Sequence, residues 1–310
     1  MLRATRSMLR LTVLLLSVLL TGGLLGSVFP ARAATGLAFL KTGVDARAAI
    51  LGQAMSAHVA GPSACHWNPA GLAETQRPQL LVSHIESFAD LRHEYAAVTQ
   101  PLGGMTAGFA FNGSWSDNLE GYNEIGEPTG EFGYSAYEAL LSLGTTGPFG
   151  TRLGVGAKYI SESIGSYEAT GYAADLGVQW APAVATPLRL GLSVRNLGPA
   201  MSFIEEEFDL PLTVQGGVAW QRPLAGLQGE LTLAADVRHV RDQGTGLLAG
   251  VEYGYRELLS FGVGYQGGED TRDLSLGLGA QRGRFAIHWA YVPISEDLGD
   301  EHRFSLAVDL

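Results

Sequence analysis

The sequence predicts an all-β fold: a transmembrane antiparallel β-barrel of about 14 strands with a small N-terminal plug segment. Three observations carry this reading. Most of the chain alternates apolar and polar residues with a period of two, its connections sort into short and long by parity, and an export signal stands ahead of both.

The alternation is the first element. Leu153, Val155, Ala157 and Tyr159 interleave with Arg152, Gly154, Gly156 and Lys158, and Leu188, Leu190, Leu192 and Val194 with Arg189, Gly191, Ser193 and Arg195. The pattern recurs at Leu231–Arg238, at Phe261–Gln266 and at the closing Arg303–Leu310. Successive side chains of a strand point to opposite faces, so each segment has one apolar face. Fourteen such segments fall near 79–86, 93–100, 105–112, 134–144, 151–161, 170–180, 188–197, 211–221, 229–238, 245–255, 258–266, 272–281, 284–292 and 302–310. An even number of strands about 9 to 11 residues long suits a bacterial outer-membrane barrel. Arg or Lys at mid-membrane costs about 2 to 4 kcal/mol, so the charged faces turn to the lumen and the Leu, Val and Phe faces to lipid.

Connection lengths are the second. With both barrel ends in the periplasm, the odd connections are external, and these include the long stretches Gly113–Gly133, Gly198–Leu210 and Pro293–Glu301. The even ones, such as Thr145–Gly150, Arg256-Glu257 and Arg282-Gly283, are mostly short, as periplasmic turns are. Acids follow the same division. Asp117, Glu120, Glu124, Glu127 and Glu131 fall in the first external loop, Glu205, Glu206, Glu207 and Asp209 in the second, and Glu296, Asp297, Asp300 and Glu301 in the third. Aromatic residues gather at strand ends, with Tyr159, Tyr172, Tyr265, Trp289 and Tyr291 toward the outside and Trp180, Trp220, Tyr253 and Tyr255 toward the periplasm. Two such belts mark the membrane interfaces.

The N-terminus is the third. Arg3, Arg6 and Arg10 precede an apolar core from Leu11 to Leu25, and Ala31-Arg32-Ala33 gives the small-x-small pattern of a cleavage site. Residues 1–33 therefore read as a cleaved signal peptide, 34–78 as the plug segment and 79–310 as the barrel. With 20 basic against 31 acidic residues and a net charge of −11, no phosphate-binding surface is expected, which argues against a nucleic-acid partner. The single cysteine, Cys65, makes no internal disulfide, and no Cys/His spacing calls for a metal. No cofactor is expected. Ser275, His288 and Asp273 are the types a hydrolase would use, but nothing in their spacing unites them, and the chain reads as non-enzymatic.

Residues 34–78 do not alternate. They contain Gly43-Val44-Asp45-Ala46-Arg47-Ala48-Ala49-Ile50, then a short Ala-rich stretch with helical character, then Cys65-His66-Trp67-Asn68-Pro69-Ala70-Gly71-Leu72. Pro69 pushes Asn68 toward an extended conformation and Gly71 permits a turn, so the piece reads as a folded loop. With Phe39-Leu40-Lys41-Thr42-Gly43, Ala46-Arg47-Ala48-Ala49, Trp67-Asn68-Pro69-Ala70-Gly71-Leu72, Val194-Arg195-Asn196-Leu197-Gly198 and His302-Arg303-Phe304-Ser305-Leu306, the chain resembles the PorV/PorQ family of outer-membrane proteins, relatives of the FadL long-chain fatty acid transporters. The resemblance implies a fourteen-stranded barrel with its N-terminal segment inside as a plug, whose motif is Trp67, Asn68, Pro69, Ala70 and Gly71. It implies an accessory or carrier role in protein export of the type IX secretion kind, with exported proteins or secretion components as partners, or else FadL-like passage of a small hydrophobic molecule. The chain departs from the pattern at Gln53, His58, Cys65-His66 and the non-aromatic C-terminal Leu310.

The inward faces supply the candidate site residues. Arg152, Lys158, Asp175, Arg189, Arg195, Asp236, Arg238, Glu252, Arg256, Arg284, His288 and Arg303 are expected to line the lumen, as an internal salt-bridge network holding the plug or as a polar conduit. The expected surroundings are outer-membrane lipids. Met201-Ser202-Phe203-Ile204, just before the acidic run, is an apolar patch on an external loop and a candidate contact for partner or ligand.

Overall fold

The computed structural model describes residues 37–87, 91–123, 125–182, 187–203, 206–268, 274–294 and 299–310. The residues read as a signal peptide, the first three of the segment read as a plug, and Glu124, Ile204, Glu205, Asp273, Glu296 and Asp297 lie outside the described residues. Sixteen strands follow a short helical segment: β1 (Gln79–Glu86), β2 (Arg92–Pro101), β3 (Met105–Tyr122), β4 (Pro128–Thr146), β5 (Thr151–Ile164), β6 (Tyr167–Trp180), β7 (Leu188–Leu197), β8 (Met201–Phe203), β9 (Glu206–Phe208), β10 (Thr213–Leu224), β11 (Gly229–Val240), β12 (Gly244–Tyr255), β13 (Leu259–Gly267), β14 (Leu274–Arg282), β15 (Phe285–Pro293) and β16 (Asp300–Asp309). Fourteen of them pair antiparallel with their neighbours, and β1 with β16, into one closed barrel; β8 and β9 form a separate hairpin. Closure satisfies every strand edge, which lipid cannot do by hydrogen bonding.

Burial is inverted relative to a water-soluble protein. On β6, Asp175, Gly177 and Gln179 are buried while the intervening Leu176, Val178 and Trp180 are exposed. Leu141 is 59% exposed and Val155 51%, whereas Glu138, Asp175 and Arg303 are at 1% or less. The exposed apolar face is the one that faces lipid. On its β3–β6 sector Phe111, Tyr137, Tyr159 and Tyr172 form a row with successive ring separations of 6.0, 6.2 and 5.5 Å. At the opposite end Trp180 and Tyr253 donate to the carbonyls of Phe149 and Leu227 in the turns, an apolar ring with a satisfied polar tip as an interface requires.

One expectation is corrected. The stretch 113–133, expected as a long external loop, is instead the continuation of β3 and β4, paired from Met105/Thr145 out to Tyr122/Pro128 with a register shift between Ser116 and Leu119. Past the membrane both faces of this ribbon meet water, so the alternation that marks a strand in lipid lapses while the backbone ladder goes on. The connection between β7 and β10 likewise contains its own hairpin, β8–β9.

The N-terminal segment lies within the barrel. It runs through a 3₁₀ turn (Ala38–Lys41), helix α1 (Ala46–Ile50), a second 3₁₀ turn (Gly61–Ser63), helix α2 (Ala64–Trp67) and a third (Pro69–Glu74) before entering β1. Both helices are shorter than isolated helices that persist in water, so the wall must stabilise them. Asn68 is extended at φ −163° and ψ 104°, as the following proline demands, and its side chain accepts from the Ala70 amide to cap the third turn. The wall admits the segment because inward positions are glycine. A Cβ at Gly154 would stand 2.1 Å from the Ala70 nitrogen, and one at Gly191 2.1 Å from the Ser56 carbonyl oxygen, distances no atoms tolerate.

Gly154→Leu and Gly191→Leu should therefore unseat the segment without opening the barrel. Hydrogen exchange across residues 46–74 is expected to change from slow to fast while the heat-modifiable mobility of the barrel persists. Gly226→Ala, at a turn where nothing lies within 4 Å, should leave both unchanged.

Candidate functional site

The lumen contains two distinct arrangements, a polar contact zone between segment and wall and an apolar cavity at the end of the barrel away from its termini. The polar zone starts at Asp45. Its carboxylate caps α1 by accepting from the Ala48 amide at 2.8 Å and also accepts from Ser63 Oγ at 3.1 Å and Trp67 Nε1 at 3.0 Å, so one side chain ties α1 to α2. Trp67 lies beneath the Arg195 guanidinium, 5.2 Å from its ring centre. Asn68 donates to the Ser56 carbonyl at 2.7 Å and reaches the wall at the Val178 carbonyl, 3.3 Å away.

Around this motif the wall charges are paired. Lys158 Nζ is 3.0 Å from Asp175 and 3.3 Å from Glu138, and it donates to Asn196 Oδ1 at 2.8 Å. Glu138 also lies 3.6 Å from His66 Nδ1, whose Nε2 is 3.1 Å from Arg195. Arg195 continues to Gln215, which donates to Asp236 at 2.7 Å and to the Gln53 carbonyl at 2.8 Å. Asp236 accepts from the Ser56 amide, and Arg238 donates to Gln53 Oε1 at 2.6 Å. Glu252 pairs with Arg47 of α1 at 2.9 Å, and Glu74 takes both Arg152 and Arg189. Arg303 bonds Glu301 at 2.5 Å and the Gly43 carbonyl at 3.1 Å.

Of the expected lumen residues, Lys158, Asp175, Arg195, Asp236 and Arg238 thus join one contiguous group, while Arg152, Arg189, Glu252 and Arg303 each make a separate contact to the segment. His288, Arg256 and Arg284 do not touch it. They line a cavity of about 800 Å³ at the end of the barrel that carries its termini, with Arg256 and Arg284 on exposed turns at its rim. Glu138 and Gln215 had the same signal as the residues named, since each stands on the polar face of its alternating strand; Glu74, Gln53 and His66 lie in a segment without periodicity. Ser275 donates to the Ala49 carbonyl beneath α1. His288 stands opposite Gly279, four residues further along β14 or roughly 13 Å, so the two do not form a nucleophile and base.

Burial sets the ionisation of the segment. It pushes His66 down to about 3, aided by Arg195 and opposed by Glu138, and His58 down to about 3, aided by Arg47. Burial against the wall pushes the Cys65 thiol up to about 12, so it is an inert packing group.

The second arrangement is an apolar cavity of about 470 Å³. Leu37 and Phe39 of the segment form its floor, and Phe203 and Phe208 of the β8–β9 hairpin, stacked with centres 5.5 Å apart, form one side. Tyr134 of β4 and Glu162 of β5 also line it, the phenol donating to the carboxylate at 3.2 Å. Of the Met201–Ile204 patch read from the sequence, Phe203 lines this cavity and Met201 is buried in the same cluster as Leu37, Phe39 and Leu40.

Two solved structures share this fold. A TodX monoaromatic hydrocarbon channel (deltaS2 mutant) superposes with a TM-score of 0.60 at 11% identity, covering 86% of this chain and 97% of that one. A Pseudomonas aeruginosa FadL homologue gives a TM-score of 0.53 at 12% identity, covering 86% and 98%. The likeness is one of fold: both are outer-membrane barrels, as is the closed antiparallel barrel described above. No family model matches the sequence, and no curated protein matches it.

Two outcomes follow from the buried charges. Lys158→Met leaves Glu138 and Asp175 without their cation and should destabilise the barrel by about 3 to 5 kcal/mol in denaturant unfolding, whereas Lys158→Met with Glu138→Gln and Asp175→Asn should recover most of the loss. His58 and His66 are neutral in the fold but take up protons near 6.5 when unfolded. Their contribution is complete above that pH and is lost as pH falls from about 6.5 toward about 3. Unfolding at pH 4.5 should show a deficit on the order of 2 kcal/mol per histidine relative to pH 7.5, and His66→Gln should flatten the profile.

Proposed function

We propose that this protein is an outer-membrane transporter that takes a small hydrophobic molecule into the apolar cavity at its external end, with residues 34–78 as a plug that closes the lumen. The observation that carries the reading is the cavity itself: about 470 Å³, in the range of ligand pockets, and walled by Leu37, Phe39, Phe203 and Phe208. Its floor belongs to the plug. The names of the TodX and FadL relatives support uptake over the export role that the PorV/PorQ resemblance implies.

In this reading residues 1–33 are removed on export and the lipid-facing band sits in the outer membrane. N-terminal sequencing of the membrane-extracted protein should begin at Ala34, and recovery in the soluble periplasmic fraction would contradict the assignment. The binding test uses the purified protein in detergent with an uncharged naphthalene fluorophore. Saturable binding is expected, weakened about tenfold or more by Phe208→Asp, because a charge in a desolvated apolar wall repels an apolar ligand. Absence of saturable binding by the intact protein would refute the reading. Planar-bilayer conductance should be small for the intact chain, because a fourteen-stranded lumen already narrower than that of a porin of about 16 to 18 strands is filled here by protein.

A further inference from the structure

The apolar cavity has one charged wall residue, and that residue is an acid. Glu162 is 4% exposed and is the sole ionisable carboxylate or base among the described residues lining the cavity. The other lining residues are rings, aliphatic chains and the two uncharged hydroxyls of Thr42 and Ser114. The nearest base along the plug, Lys41, is held by Asp242 at 2.7 Å and does not line the cavity. Tyr134 donates to one carboxylate oxygen, and a carboxylate offers about four acceptor sites, so acceptor capacity remains toward the cavity.

Such a wall discriminates by charge. A ligand carboxylate would bring a second negative charge beside the buried Glu162, and no cation among the described residues lining the cavity compensates. A hydroxyl meets an acceptor there and forms a charge-assisted hydrogen bond. A site built around a polar partner also rejects ligands that leave it unpaired. We infer that the cavity selects hydrophobic molecules carrying an uncharged hydroxyl, such as phenols or alcohols, and rejects the corresponding carboxylates. This rests on the reading of the cavity as a ligand site, and it names the head-group chemistry that the apolar walls alone leave open.

The test compares naphthalene, 2-naphthol and 2-naphthoate at pH 7.5 on the purified full-length barrel by equilibrium fluorescence titration. The three share one ring system and differ in the group presented to Glu162. Naphthol is expected to bind about tenfold more tightly than naphthalene, and naphthoate at least about tenfold more weakly than naphthol. Glu162→Gln should shrink the naphthol to naphthoate ratio by about tenfold while leaving naphthalene nearly unchanged. Tyr134→Phe, which keeps the carboxylate, should preserve the ratio. If naphthalene binds but naphthol and naphthoate bind alike, or if Glu162→Gln leaves their ratio intact, the charge selection is wrong and the hydrophobic site stands. If none of the three binds the intact protein, both fall.

Discussion

The Lys158 ammonium lies within 3.3 Å of both Asp175 and Glu138, almost without contact with solvent, and the group extends through His66 and Arg195 to the plug. Charges so placed have lost their water and are tolerable only when each finds a partner of opposite sign or a hydrogen bond. Lipid outside forces these side chains inward, and once inward they need something to bond. The wall supplies part of that, Lys158 with Asp175 for example. The segment supplies the rest, through Arg47, Gln53, Ser56, His66 and Glu74. Barrel wall and segment thus complete one another's polar contacts, beside the apolar cluster they also share.

That interdependence explains the glycine content. In a lumen filled by water, inward positions could carry almost any polar side chain. Here the backbone of the segment approaches so closely at Gly154 and Gly191 that a single methyl group would collide with it. Glycine also eases strand bending, but contact with the segment is the stricter requirement. Charge and shape act on the same surface: long Arg and Lys chains reach to the segment where the gap is wide, and glycine takes its place where the gap closes.

The sequence made the barrel legible because the bilayer imposes a two-residue period on each membrane-facing strand, and Leu153–Tyr159 or Leu188–Val194 could satisfy it only as strands. It was silent where that constraint ends. The outer parts of β3 and β4 remain paired, across register shifts at Ser116/Leu119 and Gly121/Tyr122, yet read as loop, since water on both sides removes the selection for alternation. Within the site, Arg238, Arg152 and Arg189 were visible as charges on polar faces, but their partners Gln53 and Glu74 were not, because an aperiodic segment carries no signal for which side chain meets the wall. The turn chemistry of Asn68-Pro69 was readable, being local. Which carbonyls Asn68 would hold was not, being set by strands more than 100 residues away.

The apolar cavity and the polar lock meet in one continuous piece of chain. Leu37 and Phe39 line the cavity, Lys41 pairs with Asp242 on the connection after β11, and Gly43 and Asp45 lead directly into the contacts of α1 and α2. A molecule seated against Leu37 and Phe39 adds apolar contact to the very residues that would leave first if the plug moved. By linkage, any ligand that binds more tightly to the seated plug stabilises it, and one that binds better to a displaced plug favours release, in each case by its difference in affinity for the two states. The balance is a narrow one. Several buried ion pairs hold the segment, but each exchanges solvation for partners and contributes a modest net amount; the apolar floor contributes on the order of 25 cal/mol for every Å² withheld from water. Occupancy of the cavity and position of the plug are therefore coupled through a few residues, Leu37 to Asp45, without need of any longer path across the barrel.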